Sequence, residues 1–135
     1  MNRNIKSMSK KKINFSDRLN ISAIIVTRLN STRLKNKALT KINNLISIQI
    51  LIKRIKKLKN ISKIVVATCK HKNLSALKKI CDKENIDLFI GSEKNVLDRI
   101  IKCSQKFKID SVVRVTADDI FREIKKLDEA ILIHK

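Results

Sequence analysis

The stretch ISAIIVTRLNSTRLKNKAL (residues 21–39) joins a short apolar run to a segment rich in hydrogen-bond donors. The run ISAIIVT (21–27) is β-branched and almost continuously apolar, which predicts a strand covered on both faces of a sheet. The segment RLNSTRLKNKAL (28–39) holds two Arg, two Lys, one Ser and one Thr, and it contains no Gly. Cationic and hydroxyl side chains directly after a buried strand predict a phosphate-binding loop. In so basic a chain, surplus surface charge is the alternative interpretation.

Strands and helices alternate along the rest of the chain. Apolar runs of the same kind lie at KIVVATC (63–69), DLFIG (87–91) and SVVRVT (111–116). Segments with helical spacing lie at 45–59, 74–85, 95–107 and 123–133. This alternation with short connections predicts an α/β fold with a parallel sheet and right-handed crossovers. In such sheets ligands bind beyond the carboxyl ends of the strands.

The predicted helices carry apolar faces that can pack on the sheet. The face of the first helix consists of Ile48, Leu51, Ile52, Ile55 and Leu58, and its lysines form a solvated opposite face. The face of the second consists of Leu74, Leu77, Ile80 and Cys81. The face of the third consists of Val96, Leu97, Ile100, Ile101 and Ser104. Ser92 is expected to cap this third helix.

Length and composition narrow the class of protein. A chain of 135 residues is one domain by length and can bury a real core. The net charge is +20, but Lys, Ile and Asn are all over-used, and their A- and T-rich codons can explain much of that charge. The chain lacks Trp and Tyr and has four Phe, which argues against stacking on nucleic-acid bases. A nucleic-acid-binding protein that contacts only the phosphate backbone stays an alternative.

The termini and the cysteines predict a cytoplasmic protein. Residues 1–19 read as a flexible basic arm, and residues 20–135 as the α/β domain. No run approaches the roughly 18 apolar residues of a membrane span, and no apolar region of a secretory signal follows the basic start. Cys69, Cys81 and Cys103 are odd in number and form no C-x-x-C pair, which argues against a disulfide framework.

Three of the predicted strand ends carry polar chemistry that suits a polyphosphate. The first is followed by RLNSTRLKNK, the third by GSE and then VLDR (96–99), and the fourth ends in TADD (116–119). Arg and Lys bind phosphate oxygens, and an Asp can hold Mg²⁺ that bridges them. Taken singly, TADD could be a helix-capping turn and VLDR a solvated helical turn. Those interpretations do not explain why all three segments follow strand ends in this order.

Read together, AIIVTRLNSTRLKNKAL, KIVVATC, FIGSEKNVLDRI and VVRVTADDI resemble the nucleotide-binding half of the spore-coat-polysaccharide-type cytidylyltransferases, relatives of the acylneuraminate and Kdo cytidylyltransferases. The resemblance covers roughly residues 21–131 in the family's order and spacing. It implies a three-layer, parallel-sheet nucleotide-diphospho-sugar transferase fold of the glycosyltransferase-A-like type. It also implies transfer of CMP from CTP to a sugar or sugar acid, with release of pyrophosphate and with Mg²⁺ as cofactor.

The resemblance also assigns site residues. Arg28, Arg33 and Lys37 correspond to catalytic residues that hold the triphosphate, and Asp118 corresponds to the carboxylate that binds Mg²⁺. The implied nucleotide-binding set is Arg28, Ser31, Thr32, Arg33, Lys37, Thr68, Gly91, Ser92, Asp98 and Arg99. The sugar hydroxyl is the implied nucleophile, so no protein nucleophile is required.

The chain departs from the family pattern at several turns. Lys35-Asn36-Lys37 stands where the family has P-G-K, and Asn36 can adopt a left-handed conformation that would preserve the turn. Asn43-Asn44 replaces a turn that contains Gly, and Ile120 replaces a Pro. Family members usually extend for about another hundred residues, close to the size of a further domain. We therefore expect a truncated fold, and the open alternatives are a non-catalytic nucleotide-binding remnant, half of a split enzyme, or a homodimer or partner chain that completes the sheet.

Overall fold

A computed structural model describes residues 19–30 and 36–135 of the chain. Its elements in chain order are β1 (Ile21–Val26), a 3₁₀ turn (Lys37–Leu39), β2 (Lys41–Ile42), β3 (Leu45–Ile46), α1 (Ser47–Ile55), β4 (Lys63–Thr68), α2 (Leu74–Lys83), β5 (Asp87–Ile90), α3 (Val96–Phe107), β6 (Ser111–Thr116) and α4 (Ile124–His134). The four predicted strands and the four predicted helices are confirmed. Apart from Leu19, which packs against the core, the predicted N-terminal arm lies outside the described residues.

The main sheet has four parallel strands in the order β5-β4-β1-β6. β1 lies in the middle, with Ile24 opposite Val65 of β4 on one side and opposite Arg114 of β6 on the other. All six residues of β1 are buried. This central position explains why the strand is a continuous apolar run instead of an alternating one.

Helices cover both faces of the sheet and give three layers. On one face, α1, α2 and α4 pack against alternate residues of the strands, among them Ile25 and Val66. On the other face, α3 packs against Ile24 and Val65. All five residues predicted for the apolar face of the first helix are buried, and each such side chain contributes about 1.5–3 kcal/mol by leaving water. No helix in the described part of the chain is long and apolar enough to cross a membrane.

A small hairpin precedes α1, and the sequence did not predict it. The expected helix start at residue 45 is wrong, because Leu45–Ile46 pairs in antiparallel fashion with Lys41–Ile42. The chain reverses between these two strands through Asn43, whose φ is 53°. Asn tolerates this left-handed conformation better than most residues, so it can replace the family's glycine. α1 then begins at Ser47, whose hydroxyl donates to the carbonyls of Lys37 and Ala38 at 2.9 Å.

The inward face of α3 differs in part from the predicted one, since only Val96 and Ile100 of its predicted apolar residues pack against the core. Leu97 is 66% exposed and Ile101 46% exposed, whereas Arg99 and Cys103 are buried. The helix is rotated because the Arg99 side chain occupies an inward position that hydropathy assigns to an apolar residue. Ser104 is half-buried, and its hydroxyl donates to the Ile100 carbonyl at 2.9 Å.

The predicted cap of α3 is also wrong. Asn95 caps the helix, with its side-chain oxygen accepting from the Asp98 amide at 2.9 Å. The Ser92 hydroxyl instead accepts from the Asn95 amide at 3.1 Å. Ser92 thus shapes the turn before the helix.

All three cysteines are free and buried. Burial raises the pKa of the Cys81 and Cys103 thiols to about 11. Both thiols are therefore protonated at neutral pH and pack as small hydrophobic groups.

Candidate functional site

The segments that follow the strands stay side by side beyond the carboxyl edge of the sheet. The Thr27 amide donates to the Ala67 carbonyl at 3.0 Å, and the Ala117 amide donates to the Val26 carbonyl at 3.1 Å. The Gly91 amide donates to the Thr68 carbonyl at 2.8 Å. The polar segments predicted at this edge are therefore neighbours in space.

A cation and a carboxylate from opposite ends of the sequence meet at this edge. Lys37 Nζ lies 3.0 Å from Asp118 Oδ2, which joins the loop after β1 to the segment after β6. The two side chains are 51% and 52% exposed. The hydrogen bond from Lys37 lowers the pKa of Asp118 and outweighs the partial burial that opposes it. Asp118 is therefore ionised at neutral pH and open to a ligand.

The position of Lys37 depends on the turn that replaces P-G-K. Asn36 has φ 54° and ψ 33°, the left-handed conformation that the sequence allows for. Its carbonyl accepts from the Leu39 amide at 2.7 Å, which closes the 3₁₀ turn. The contacts of the Ser47 hydroxyl then hold this turn against the start of α1. These contacts fix the position of the Lys37 backbone next to the start of α1.

Arg99 ties two of the segments together from below. Its guanidinium is 0% exposed, with Nε donating to the Ser92 carbonyl at 2.9 Å and Nη1 donating to the Thr27 carbonyl at 2.8 Å. The structure therefore places Arg99 beneath the surface of the site. Its hydrogen bonds hold the backbone at the start of the segment after β1 and of the segment after β5.

Gly91 leaves room for the Arg99 side chain. A Cβ atom at this position would lie 2.8 Å from Arg99 Cγ and 2.8 Å from Phe89 Cε1. Gly91 does not have a positive φ. The single glycine of the chain is therefore required for close approach, and its conformational freedom is not used.

Asn30 and Glu93 make a contact that sequence reasoning missed. Asn30 Nδ2 donates to Glu93 Oε1 at 2.5 Å, which links the loop after β1 to the G-S-E segment. Both residues belong to motifs that follow predicted strands, so the positions of these motifs in the sequence could have indicated the contact.

The Asp98 carboxylate pairs within its own helix: its Oδ2 lies 3.0 Å from Lys102 Nζ. That ion pair holds the Asp98 carboxylate along α3.

The remaining predicted site residues fall into three groups. Arg28 is exposed directly after the buried Thr27. Thr68 is fully buried, and its hydroxyl oxygen has no hydrogen-bond partner in the described ranges 19–30 and 36–135. Ser31, Thr32 and Arg33 lie outside the described residues.

The donor set at this edge suits a cation that is shared with a polyphosphate. Within the described residues, no three His, Cys, Asp or Glu side chains group into a metal site. Mg²⁺ is usually held by one or two carboxylates together with waters and substrate phosphates. Asp118 supplies one accessible, ionised carboxylate, whereas Asp119 is engaged by Arg122 at 2.5 Å. Asp118 therefore fits Mg²⁺ that arrives with a nucleotide.

Comparison with known proteins gives consistent matches. A family model described as cytidylyltransferase matches residues 22–135. An uncharacterised protein of Methanocaldococcus jannaschii, MJ1063, is 37% identical over 113 residues, which is 84% of this chain and 46% of that protein. Spore coat polysaccharide biosynthesis protein SpsF of Bacillus subtilis is 32% identical over 115 residues, which is 82% of this chain and 48% of that protein. The chain spans about half the length of these curated relatives.

Solved structures confirm the predicted fold class. A cytidylyltransferase from Leptospira borgpetersenii superposes with a TM-score of 0.80 and 24% identity, over 85% of this chain and 48% of that one. A CMP:2-keto-3-deoxy-manno-octonic acid synthetase complexed with CTP superposes with a TM-score of 0.73 and 16% identity, over 84% of this chain and 46% of that one. At these identities the likeness shows the fold alone.

Proposed function

The chain belongs to the cytidylyltransferase family, and from that premise we propose that it binds CTP at the carboxyl edge of its sheet for transfer of CMP to a sugar. The observation that carries the proposal is the contact between Lys37 and Asp118 at 3.0 Å. It brings an ammonium group and a carboxylate to one accessible place, although they are 81 positions apart in the sequence. The first can bind phosphate and the second Mg²⁺.

The proposed chemistry follows from where charge develops. Attack of a sugar hydroxyl on the α-phosphate builds negative charge on the pyrophosphate that leaves. Arg28, Arg33 and Lys37 would bind these oxygens more strongly in the transition state than in the ground state. Removal of one well-placed donor of this kind raises a barrier by about 3–4 kcal/mol. Mg²⁺ held by Asp118 would neutralise the triphosphate and orient it.

The acceptor is proposed by analogy with the relatives. The printed name of SpsF concerns spore coat polysaccharide, and the synthetase that superposes is a CMP:2-keto-3-deoxy-manno-octonic acid synthetase complexed with CTP. We therefore propose a sugar or sugar acid destined for a surface polysaccharide. Three free, buried cysteines support a reducing compartment, which agrees with a cytoplasmic site for a CTP-dependent reaction.

A second polypeptide segment is proposed to complete the site along β6. This strand forms one edge of the sheet, and its Val112 and Val113 are only half-buried. α4, which follows β6, exposes Leu132 and Ile133. An open edge strand is a template for pairing with another strand. Further chain, a partner chain or a second copy could pair there and supply the acceptor pocket.

The first experiment measures CTP binding by calorimetry with Mg²⁺ and with EDTA. We expect Mg²⁺-dependent binding by the parent chain, and we expect Arg28→Ala to weaken CTP binding more than CMP binding. Equal losses for CTP and CMP would contradict the role of Arg28. Lys83→Ala is the control, because Lys83 is an exposed cation at the end of α2, outside the segments assigned to the site.

The second experiment tests catalysis. Pyrophosphate release is measured with CTP, Mg²⁺ and a panel of sugar acids. Release that depends on the sugar would support a complete transferase. CTP binding without release would favour the alternative of a non-catalytic nucleotide-binding protein or half of a split enzyme. Absence of CTP binding would overturn the proposed function.

A further inference from the structure

Arg99 is a buried cation without an acidic partner in the described part of the chain. It is 0% exposed, its two hydrogen bonds go to backbone carbonyls, and its Nη2 has no hydrogen-bond partner there. Burial of an unpaired charge is costly, and buried guanidinium groups are usually paired with carboxylates. Arg99 is an exception to this rule, and the charge of its guanidinium is not balanced by any carboxylate of the described residues.

The two carbonyls that Arg99 binds belong to different strand ends. Thr27 follows β1 and Ser92 follows β5, and in the sheet β4 lies between these two strands. The guanidinium therefore spans the end of β4 and connects segments that have no direct strand pairing. A planar fork of donors suits this task, because its nitrogens can reach two acceptors at once.

The residues next to these carbonyls are the ones that face the site. Arg28 follows Thr27 directly and is exposed. Asn30 and Glu93, which bond to each other at 2.5 Å, lie on the two segments that Arg99 connects. The absence of a Cβ at Gly91 leaves the passage for the Arg99 stem, since an added Cβ would lie 2.8 Å from its Cγ. The glycine and the arginine thus form one unit.

We propose that Arg99 is a positioning residue that fixes the start of the loop after β1 for polyphosphate binding, and that the bound polyphosphate supplies the negative charge that Arg99 lacks in the free protein. The proposal rests on the proposed function, because the polyphosphate is that of CTP. Arg99 does not touch the nucleotide. It sets the place of Arg28 and adds positive potential beneath the phosphates.

The first test needs no nucleotide. Amide hydrogen exchange is compared between the free parent chain and Arg99→Met. We expect faster exchange in residues 27–30 and 91–95, while residues 21–26 of β1 keep the parent rate. Lys83→Met is the control, because it removes an exposed charge from the end of α2, and it should match the parent. Unchanged exchange in residues 27–30 and 91–95 of Arg99→Met would overturn the positioning role.

The second test measures the dissociation constants of inorganic triphosphate and of CTP by calorimetry, at a temperature where each variant is folded. We expect Arg99→Met to bind both about tenfold more weakly, a loss of the size that removal of supporting residues causes in metal sites. Arg99→Lys keeps the charge but has one donor group for two carbonyls. Its affinity for each ligand should therefore lie between that of the parent chain and that of Arg99→Met. Parent-like affinity in Arg99→Met would overturn the proposal.

Gly91→Ala tests the same unit with the charge retained, and it replaces Arg99→Met if that variant does not fold. The added methyl group should displace the Arg99 stem, speed exchange in residues 27–30 and weaken triphosphate binding. Parent-like exchange and affinity in Gly91→Ala would overturn the proposal. If the parent chain itself binds neither ligand, the proposed function fails, whereas the exchange experiment still decides the positioning role.

Discussion

At the scale of single residues, the contact between Lys37 and Asp118 matters for chemistry more than for stability. Both side chains are about half-exposed, and exposed ion pairs contribute only about 0–1 kcal/mol. The hydrogen bond nevertheless lowers the pKa of Asp118, so the carboxylate is ionised at neutral pH. A residue with little structural weight can be replaced without loss of the fold.

We expect Asp118→Asn to change the free energy of unfolding by less than about 1 kcal/mol and to abolish the effect of Mg²⁺ on CTP binding. The reason is that an amide is a far weaker Mg²⁺ ligand than a carboxylate. Urea unfolding gives the first quantity, and calorimetry with and without Mg²⁺ gives the second. Asp82→Asn, an exposed change on α2, is the control. Mg²⁺-dependent CTP binding by Asp118→Asn at the parent affinity would show that the metal lies elsewhere.

Glu84 is the opposite case, a buried carboxylate with a structural role. Its burial would raise its pKa, but hydrogen bonds from Gln49 and Lys56, with the nearby charges of Lys56 and Lys53, lower the pKa overall. The Gln49 and Lys56 nitrogens lie 2.9 and 3.0 Å from its carboxylate oxygens. These contacts join α1 to the end of α2.

We expect Glu84→Gln to lower the free energy of unfolding by about 1–3 kcal/mol at pH 7, the usual worth of hydrogen bonds to a charged group. Because the folded-state pKa is depressed, the contribution of Glu84 is present above its unfolded pKa and is lost as pH falls through the folded one. The difference between the two proteins should therefore narrow as the pH falls below about 4.5, the ordinary pKa of a glutamate. Urea unfolding across this range measures it, with the exposed Glu129→Gln as control. A difference that stays constant with pH would mean that the charge of Glu84 is not involved.

At the scale of elements, α1 and α3 show what hydropathy can and cannot predict. Every residue of the face predicted for the first helix is buried, although Leu58 lies beyond the end of α1 at Ile55, and Ile52 is 0% exposed. On α3 the predicted Ile101 is 46% exposed, because Arg99 and Cys103 take the inward positions. Ile52 and Ile101 should therefore contribute differently to stability, although both occupy apolar positions in the helical spacing of the sequence.

We expect Ile52→Ala to cost about 2–5 kcal/mol of unfolding free energy, since it removes buried methyl groups and leaves a cavity. Ile101→Ala should cost less, about 1 kcal/mol, because the side chain is already 46% exposed and its truncation leaves no enclosed cavity. Chemical unfolding of the two variants side by side makes each the control of the other. Similar losses would mean that α3 faces the sheet as the hydropathy pattern predicts.

The same elements show how far the sequence leads. Apolar runs predicted the four parallel strands. The central strands β1 and β4 are largely buried, whereas the edge strands β5 and β6 are only partly buried but still carry short apolar runs. The hairpin at residues 41–46 could not be predicted, because strands of two residues carry no periodicity. At the site, the rule on strand ends brought Lys37 and Asp118 together correctly. The hydrogen bond from Arg99 to the Thr27 carbonyl was not predicted, because a backbone acceptor does not depend on which residue type carries it.

At the scale of the whole molecule, anion binding that is due to the net charge of +20 differs from binding at the proposed nucleotide site. Lys and Arg number 32 against 12 Asp and Glu, so any polyanion is attracted at low salt. A surface attraction of this kind is screened within about 8 Å at physiological ionic strength. Contacts at short range, such as those proposed at the carboxyl edge, are screened less. Salt therefore separates diffuse attraction from a defined nucleotide site.

We expect duplex DNA to compete with CTP at low salt and to lose that ability at about 150 mM NaCl, because DNA binding through phosphates alone falls steeply with salt. CTP affinity should fall by a smaller factor over the same range, since its phosphates would contact Lys37 and its neighbours directly. Displacement of a fluorescent CTP analogue by DNA, followed as a function of NaCl, measures both. Cytidine, which lacks phosphate, reports whether the base pocket changes with salt. If DNA still displaced the analogue at about 150 mM NaCl, the basic surface itself would be the binding site, and the nucleotide assignment would give way to nucleic-acid binding.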